Sequence, residues 1–335
     1  MSVLTSVLRF IVSIVLTIVA TVAPGKMADS TAPNAPLDAE SCKLSFVVVS
    51  DSHMKGGVEG LPNDLVFHLT MKDFEAADKK YDALVFVGDN TDHGYEEQWS
   101  HFSKQFEGYN PADNILLAMG NHDTWTRDGS ENRTAKGLFM EYSKKITGKF
   151  TGNYYYSTTV NGYPFIFLSS EEDHTAATFS AKQIKWFKNE MKKAAELDKP
   201  IFVICHWPIN MTHGLPVSWG DDDYDDMTGG IGEQSAKINR ILQKYDNVVM
   251  ISGHIHNGLS NAETKDELGY ESLEKVGNIY SLNIPAINGF NENGDWFPGS
   301  SYAIEVYEDE IVFRARNFMT GLWRPEYNYT VVLSK

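Results

Sequence analysis

The chain has 335 residues, 42% of them apolar and 12% aromatic, which is ample for a sizeable core in one large domain or two. Its formal charge of −16 argues against a nucleic-acid polymer as partner, because phosphate backbones are gripped by clustered Lys and Arg and no such cluster occurs. The expected ligand is small or locally bound. A start carrying Arg9 precedes the uncharged run Phe10 to Ala23, which suits the core of a signal peptide and is short for a bilayer span of about 20 residues. Residues 1–23 are therefore expected to be a signal peptide, and the protein secreted or extracytoplasmic. Pro24 is a poor context for cleavage, so the alternative is an uncleaved N-terminal anchor, through which any membrane contact would run. Residues 24–41 are rich in Pro, Ala, Ser and Asp and read as a flexible tether.

From Lys43 the organisation becomes regular. Leu44 to Val49 is a continuous apolar run of the kind buried on both faces, and it ends at Ser50-Asp51-Ser52-His53. A helix is expected from about Asp64 to Lys80, then a strand over Ala83 to Val87 that ends at Gly88-Asp89-Asn90-Thr91-Asp92. Tyr95 to Phe106 reads as a second helix, and Ile115 to Met119 as a third strand ending at Gly120-Asn121-His122-Asp123. Strand and helix in alternation predict right-handed crossovers and parallel pairing. Tyr154 to Val160 and Tyr163 to Leu168, joined by Asn161-Gly162, form a hairpin signal. Ser180 and Gln183 make a capping box for a helix reaching about Leu197. Ile201 to Cys205 is a fourth strand ending at His206, and a helix over about Glu233 to Tyr245 leads to a fifth at Val248. That last strand stops at Ser252-Gly253, and His254 and His256 follow one residue apart. Beyond Asn257 the pattern is mostly β, with strands at Ile279 to Leu282, Tyr302 to Val306, Ile311 to Ala315 and Tyr329 to Leu333. No point divides the chain cleanly, so residues 42–335 are taken as a single domain. Cys42 begins one strand and Cys205 ends another, which in a parallel sheet sets them roughly 20 Å apart at about 3.3 Å per residue, too far for a disulfide.

Parallel-sheet proteins carry their chemistry at the carboxyl ends of the strands. Five such ends here bear Asp51 and His53, Asp89, Asn121 and His122, His206, and His254 and His256. Imidazole suits zinc, iron and nickel, and carboxylate or amide oxygen suits harder ions such as manganese. An Asp has two oxygens and can join two ions, whereas an Asn is a neutral single-point ligand. Two ions about 3.5–4 Å apart can clamp the attacking and leaving oxygens of an in-line phosphoryl displacement.

The blocks DSH at 51–53, GDNTD at 88–92, GNHD at 120–123, the His of CHWP at 206 and GHIH at 253–256 stand in one order. In that set the chain resembles the calcineurin-like metallophosphoesterases. The resemblance implies a four-layer α/β/β/α sandwich of two mixed sheets flanked by helices, with the late strands forming the second sheet. It implies two divalent or trivalent metal ions, drawn from Mn, Fe, Zn and Ni: Asp51, His53 and His256 would hold one, Asn121, His206 and His254 the other, and Asp89 would bridge them. By the same resemblance a metal-bridging hydroxide attacks phosphorus, His122 is the catalytic histidine that protonates the leaving group, and Asp92 orients its ring. Two plainer readings stand beside these last assignments, Asp92 as a turn cap and His122 as a donor behind the metal ligands.

The block GDNTD continues with His93-Gly94, where the phosphoprotein phosphatases of that family have Arg-Gly. This counts against a phosphoprotein substrate, and the block looks closer to the class III cyclic-nucleotide phosphodiesterase and glycerophosphodiesterase branch. The expected activity is binuclear metal-dependent hydrolysis of small phosphate mono- or diesters. A cyclic-nucleotide phosphodiesterase is the narrower alternative, and a non-catalytic binding protein on the same fold is the alternative from another class. Of the peripheral features, the acidic loop Gly220 to Gly230 reads as a solvated surface loop, with a third cation site of the calcium kind as the alternative although its spacing matches no known calcium loop. Trp207, His213, Trp219 and Tyr224 are candidates to line the pocket, with ordinary packing as the plain alternative. Sequons stand at Asn132, Asn210 and Asn328.

Overall fold

The computed structural model describes residues 30–124, 135–149, 151–171, 176–215, 230–265, 269–288, 294–295 and 297–334. The leader at 1–23, the first part of the tether, Asn132, Trp219, Tyr224 and residues 220–229 of the acidic loop lie outside them.

The first half supplies β1 (Leu44–Val49), α1 (Leu61–Glu75), β2 (Ala83–Phe86), α2 (Glu96–Lys104), β3 (Ile115–Leu117), a short α3 (Asn121–Thr124) and α4 (Ala135–Thr147). β1 pairs parallel with β2, and β2 with β3. The hairpin β4 (Tyr156–Val160) and β5 (Tyr163–Phe167) follows, then α5 (Ala181–Ala195), β6 (Ile201–Ile204), α6 (Ser235–Leu242) and β7 (Val248–Ser252). The chain closes with β8 (Leu273–Val276), β9 (Ile279–Asn283), β10 (Ser300–Val306), β11 (Glu310–Asn317), β12 (Leu322–Trp323) and β13 (Tyr329–Val332). Ser180 caps α5 by accepting from the Gln183 N–H at 3.1 Å. The reciprocal half of the expected box is absent, because the Ser180 N–H donates to Glu171 instead and Gln183 turns its amide to the Ser169 carbonyl.

Two mixed sheets result, in the orders β12-β11-β10-β1-β2-β3, with β13 beside β11, and β4-β5-β6-β7-β9-β8. The four-layer fold expected from the sequence is thus present, with one correction. Of the late strands only β8 and β9 join the second sheet: β10 to β13 return to the open side of β1, where β10 pairs antiparallel with Leu44 opposite Val306. The second sheet is completed by β4 to β7 from the middle of the chain. β1 shows why both sheets read as unbroken apolar runs. Phe46 and Val48 face the core between the sheets, where the Phe46 ring meets Phe165 and Phe202 edge-on at 5.1 and 4.9 Å, while Val47 and Val49 pack under α1 and α2. The second sheet is covered on its outer face by α5 and α6 through Phe187, Met191, Ile238 and Leu242. Cys42 and Cys205 are buried free thiols, and they belong to different sheets.

The segment expected to be a flexible tether is docked over its described part. Asn34 donates to the Asp73 carbonyl at 2.9 Å and accepts from the Tyr81 hydroxyl at 2.5 Å, and the Trp323 indole N–H reaches the carbonyls of Ala32 and Pro33 at 3.1 Å. Arg314 donates to the Ala35 carbonyl at 2.6 Å. Composition misled here because, apart from the Asn34 side chain, the segment is held through the backbone carbonyls of Ala32, Pro33 and Ala35, a group that every residue has. Replacing Asn34 with Ala leaves Tyr81 without its acceptor in a buried site and is expected to cost about 1–3 kcal/mol of stability, read as a lowered denaturant midpoint at unchanged slope.

Candidate metal centre

The strand ends of the two sheets open at one common edge, and the backbone ladder continues past the strands to hold the loops there. Asp51 N–H donates to the Gly88 carbonyl at 3.0 Å, His53 N–H to the Asp89 carbonyl at 3.0 Å and Gly253 N–H to the His206 carbonyl at 3.0 Å. The segment after β9 ties the sheets together, Ile284 N–H reaching Ser252 at 2.9 Å and Ile287 N–H reaching Ser50 at 3.0 Å. The turns are strained. Asp51, His53, Asp89, His254 and His256 all lie at positive φ, between 41° and 74°, a region that non-glycine residues occupy at a cost of order 1–3 kcal/mol each. Glycine permits the close approach at two points. A Cβ at Gly120 would overlap the Asp89 carboxylate, and one at Gly253 would overlap Ser50 and Asp51.

The structure brings together all seven of the expected ligands. The potential ligand atoms of Asp51, His53, Asp89 and His256 lie within 4.8 Å of one another, and so do those of Asp89, His206 and His254. Asp89 belongs to both groups. Asn121 joins the second, its Oδ1 3.1 Å from His206 Nε2. All but His256, whose side chain is 31% exposed, are buried.

The donor set fits a cation. His206 Nδ1 lies 3.2 Å from the Val87 carbonyl and so donates there, which leaves a lone pair on Nε2 of the neutral ring. That atom faces Asn121 Oδ1 at 3.1 Å and Asp89 Oδ2 at 3.2 Å, so the three atoms close on one point that takes a proton on Nε2 in the metal-free site and a cation in its place. In the first group His256 Nε2 stands 3.1 Å from His53 Nε2 and 3.0 Å from Asp51 Oδ1, so three potential ligand atoms again stand close together. The electrostatics agree before any metal is counted. Burial works against the charged form of Asp51 and of Asp89, but the neighbouring imidazoles outweigh it and hold both carboxyls well below the usual range. Burial would likewise lower His206, yet Asp89 and Asp51 push it up to about 9. His53 and His254, where burial dominates, are pushed down to about 3 and so stay neutral, the form a metal binds.

His122 and Asp92 sit beside the first group. The His122 ring lies edge-on to His53 with centroids 4.5 Å apart, and its backbone N–H donates to Asp89 Oδ1 at 2.8 Å. Its Nδ1 lies 2.6 Å from the Asp92 main-chain carbonyl. The backbone of Asp92 thus orients the ring, while its carboxylate, which lies within 4.8 Å of a ring nitrogen of His122, also faces His53 Nδ1 at 3.7 Å, His93 Nε2 at 3.4 Å and Lys55 Nζ at 3.6 Å. Trp207 is buried against His206 and His254, and His213 is buried with its ring nitrogens on the Glu271 carbonyl and the Ser281 hydroxyl at 2.7 and 3.0 Å.

Residues behind the ligands escaped the sequence reading. Asp123 accepts from Asn90 N–H and Nδ2, from Thr91 N–H and Oγ1 and from Gly120 N–H, at 2.8 to 3.2 Å, so one carboxylate ties the second block to the third. Burial and then Asp89 push it up to about 6 despite those donors. Its place as the last letter of GNHD was the available signal. Asn63, on α1, donates to the carbonyls of His53 at 2.8 Å and Ser52 at 3.2 Å, and Asn288 donates to the Ser52 carbonyl at 2.5 Å. This pair of amides clamps the positive-φ turn. Asn63→Ala is expected to weaken the metal held by Asp51, His53 and His256 by about 10- to 100-fold while leaving the other more tightly bound, read by metal titration of the chelated protein. Equal affinity at both sites would remove the clamp.

A two-sheet fold whose strand ends converge on paired imidazole and carboxylate groups defines a metal-dependent phosphoester hydrolase, and the comparisons agree. The calcineurin-like phosphoesterase model matches residues 44–258, and the chain belongs to that family. It is 25% identical over 221 residues, 64% of this chain and 72% of the relative, to the Arcobacter nitrofigilis protein named "Probable glycerophosphodiester phosphodiesterase GpdQ". In fold it is similar to a dimetal phosphatase from Danio rerio, at a TM-score of 0.57 and 12% identity over 88% of this chain and 100% of that one. It is also similar to the purple acid phosphatase PPD1 from yellow lupin, at 0.58 and 14%, over 86% of this chain and 53% of the other.

Proposed function

We propose that the chain hydrolyses small phosphodiesters in preference to monoesters, with Asp51, His53 and His256 holding one metal ion, Asn121, His206 and His254 the other, and Asp89 shared between them. The observation that carries the assignment is the single Asp89 carboxylate: one oxygen lies in both clusters of lone-pair atoms, while the other accepts the His122 N–H. Bound ions would supply a water-derived nucleophile at neutral pH and positive charge for the phosphoryl oxygens. The chain's own residues do the rest. His122, its Nδ1 proton fixed on the Asp92 carbonyl, must carry the transferable proton on Nε2, and it delivers that proton to the departing alcohol. The diester preference is supported by the sequence relative, whose name is that of a glycerophosphodiesterase.

The test is a panel of glycerophosphodiesters, 2′,3′- and 3′,5′-cyclic nucleotides and phosphomonoesters, run with manganese, zinc, iron and nickel supplied separately. Metal-dependent hydrolysis with diesters fastest is expected. Cyclic nucleotides turned over fastest would replace the diester reading with the narrower enzyme, and no metal-dependent hydrolysis of anything would leave only a binding role. Export is proposed as well, supported by the uncharged run Phe10 to Ala23 and tested by the N-terminal sequence of the protein recovered from cells. Among the described residues no helix is long and apolar enough to cross a membrane.

A further inference from the structure

The leaving alcohol departs towards the ring that protonates it, so what surrounds His122 faces the alcohol; the inference rests to that extent on the proposed role of His122. His93 lies next to it, the two rings 6.3 Å apart with planes 13° from parallel. His93 is held there by its backbone N–H on Gln98 Oε1 at 2.8 Å and by the edge of Tyr95 at 5.6 Å. Lys55 reaches the same neighbourhood from the first block. Its backbone is fixed by Met54, which bridges to Thr91 and donates to the Asn90 carbonyl at 3.1 Å, and Gly56 and Gly57 turn the chain away at φ 74° and 62°. The Lys55 side chain is 41% exposed, whereas that of Asp92 is 16% exposed, so the ammonium stands at the rim and the carboxylate behind it.

The Lys55 Nζ to Asp92 Oδ2 distance of 3.6 Å is too long for a charge-assisted hydrogen bond, and Oδ2 is shared with His93 Nε2 at 3.4 Å. An ammonium carries three N–H donors, and this geometry leaves them for a ligand. In a chain of formal charge −16, a fixed cation beside the acid that serves the leaving group is a point of attraction for an anion. We propose that Lys55, with His93 beside it, is the specificity contact for a second anionic group on the leaving alcohol, a carboxylate or a further phosphate. The preferred substrates are then phosphoesters of acidic alcohols.

The experiment compares esters of matched length whose leaving group is n-propanol, 3-hydroxypropanoate or 3-phosphooxypropanol, each as the monoester and the methyl diester, with release of the alcohol measured on the metal-loaded enzyme. The wild type is expected to favour the charged alcohols by about fivefold in kcat/KM, carried by KM, the effect of one partly exposed ion pair. The carboxylate and phosphate arms decide which anion is read. Lys55→Met brings the ratio near one, Lys55→Arg keeps it, and raising the salt from 50 mM to 1 M shrinks it in the wild type and Lys55→Arg but not in Lys55→Met. A wild-type ratio near one, or a ratio that Lys55→Met leaves unchanged, overturns the assignment while the phosphoesterase reading stands. No hydrolysis of any of the esters, where the metal panel also fails, overturns both.

Discussion

Asp89→Ala is expected to leave fewer than two ions per chain and to lower kcat/KM on the order of a thousandfold or more, the largest loss of any single substitution in this molecule. Asp89 Oδ2 is 3.2 Å from His206 Nε2 and 3.9 Å from His53 Nε2, so this carboxylate is shared by both groups of ligand atoms. Removing it takes a negative charge out of a pocket where burial would make any compensation by solvent poor, and it strips His206 of a carboxylate that holds its basicity up. The same substitution frees the His122 backbone N–H, which now donates to Asp89 Oδ1 at 2.8 Å, so the third block loses one of its ties to the second. Asp89→Asn separates charge from shape. The amide keeps the volume but offers only a neutral single-point oxygen, and it is expected to hold one ion and lose the other. Elemental analysis after gel filtration checks both, with thermal melting to show that each variant is folded. Two tightly held ions in Asp89→Ala would refute the shared role.

How much of this was legible in the sequence depends on the kind of signal. The strand ends were readable because β1, β2, β6 and β7 are buried on both faces, so each is an apolar run that stops abruptly at a polar cluster. The same double burial hid which sheet each strand joins. Nothing in Tyr302 to Val306 says that it pairs with β1 rather than with β9, and the partnership of Leu44 with Val306 spans most of the chain. β8, read as Leu-Glu-Lys-Val, and α4, which holds Gly137 and buries only Leu138, Phe139, Tyr142 and Ser143, carry too little periodicity to be seen. At the site, side chains that point at metals were visible as motifs, whereas those that act on backbone were not. Asn63 and Asn288 grip carbonyls, one of them across a separation of 236 residues, and the part of Asp92 that meets His122 is a carbonyl whose aim no residue type encodes. The docked segment around Asn34 was missed for the same reason.

His122→Ala, by contrast with Asp89→Ala, is expected to keep both ions and to lose turnover according to the leaving group. The contact from this residue to Asp89 is made by its backbone N–H, which the substitution leaves in place, and its ring stands edge-on to His53 without belonging to either of the two groups that share Asp89. What disappears is the proton on Nε2. A departing 4-nitrophenolate is stable without it, so esters of that alcohol should slow by no more than about tenfold, whereas alkyl esters should slow by about 10²- to 10⁴-fold. A plot of log kcat/KM against leaving-group pKa is therefore expected to steepen in the variant. A histidine that only braced the ligands would behave differently, weakening metal binding and slowing every ester alike. Metal content and the slope of that plot, measured on one preparation, separate the two roles, and an unchanged slope would take His122 out of the proton transfer.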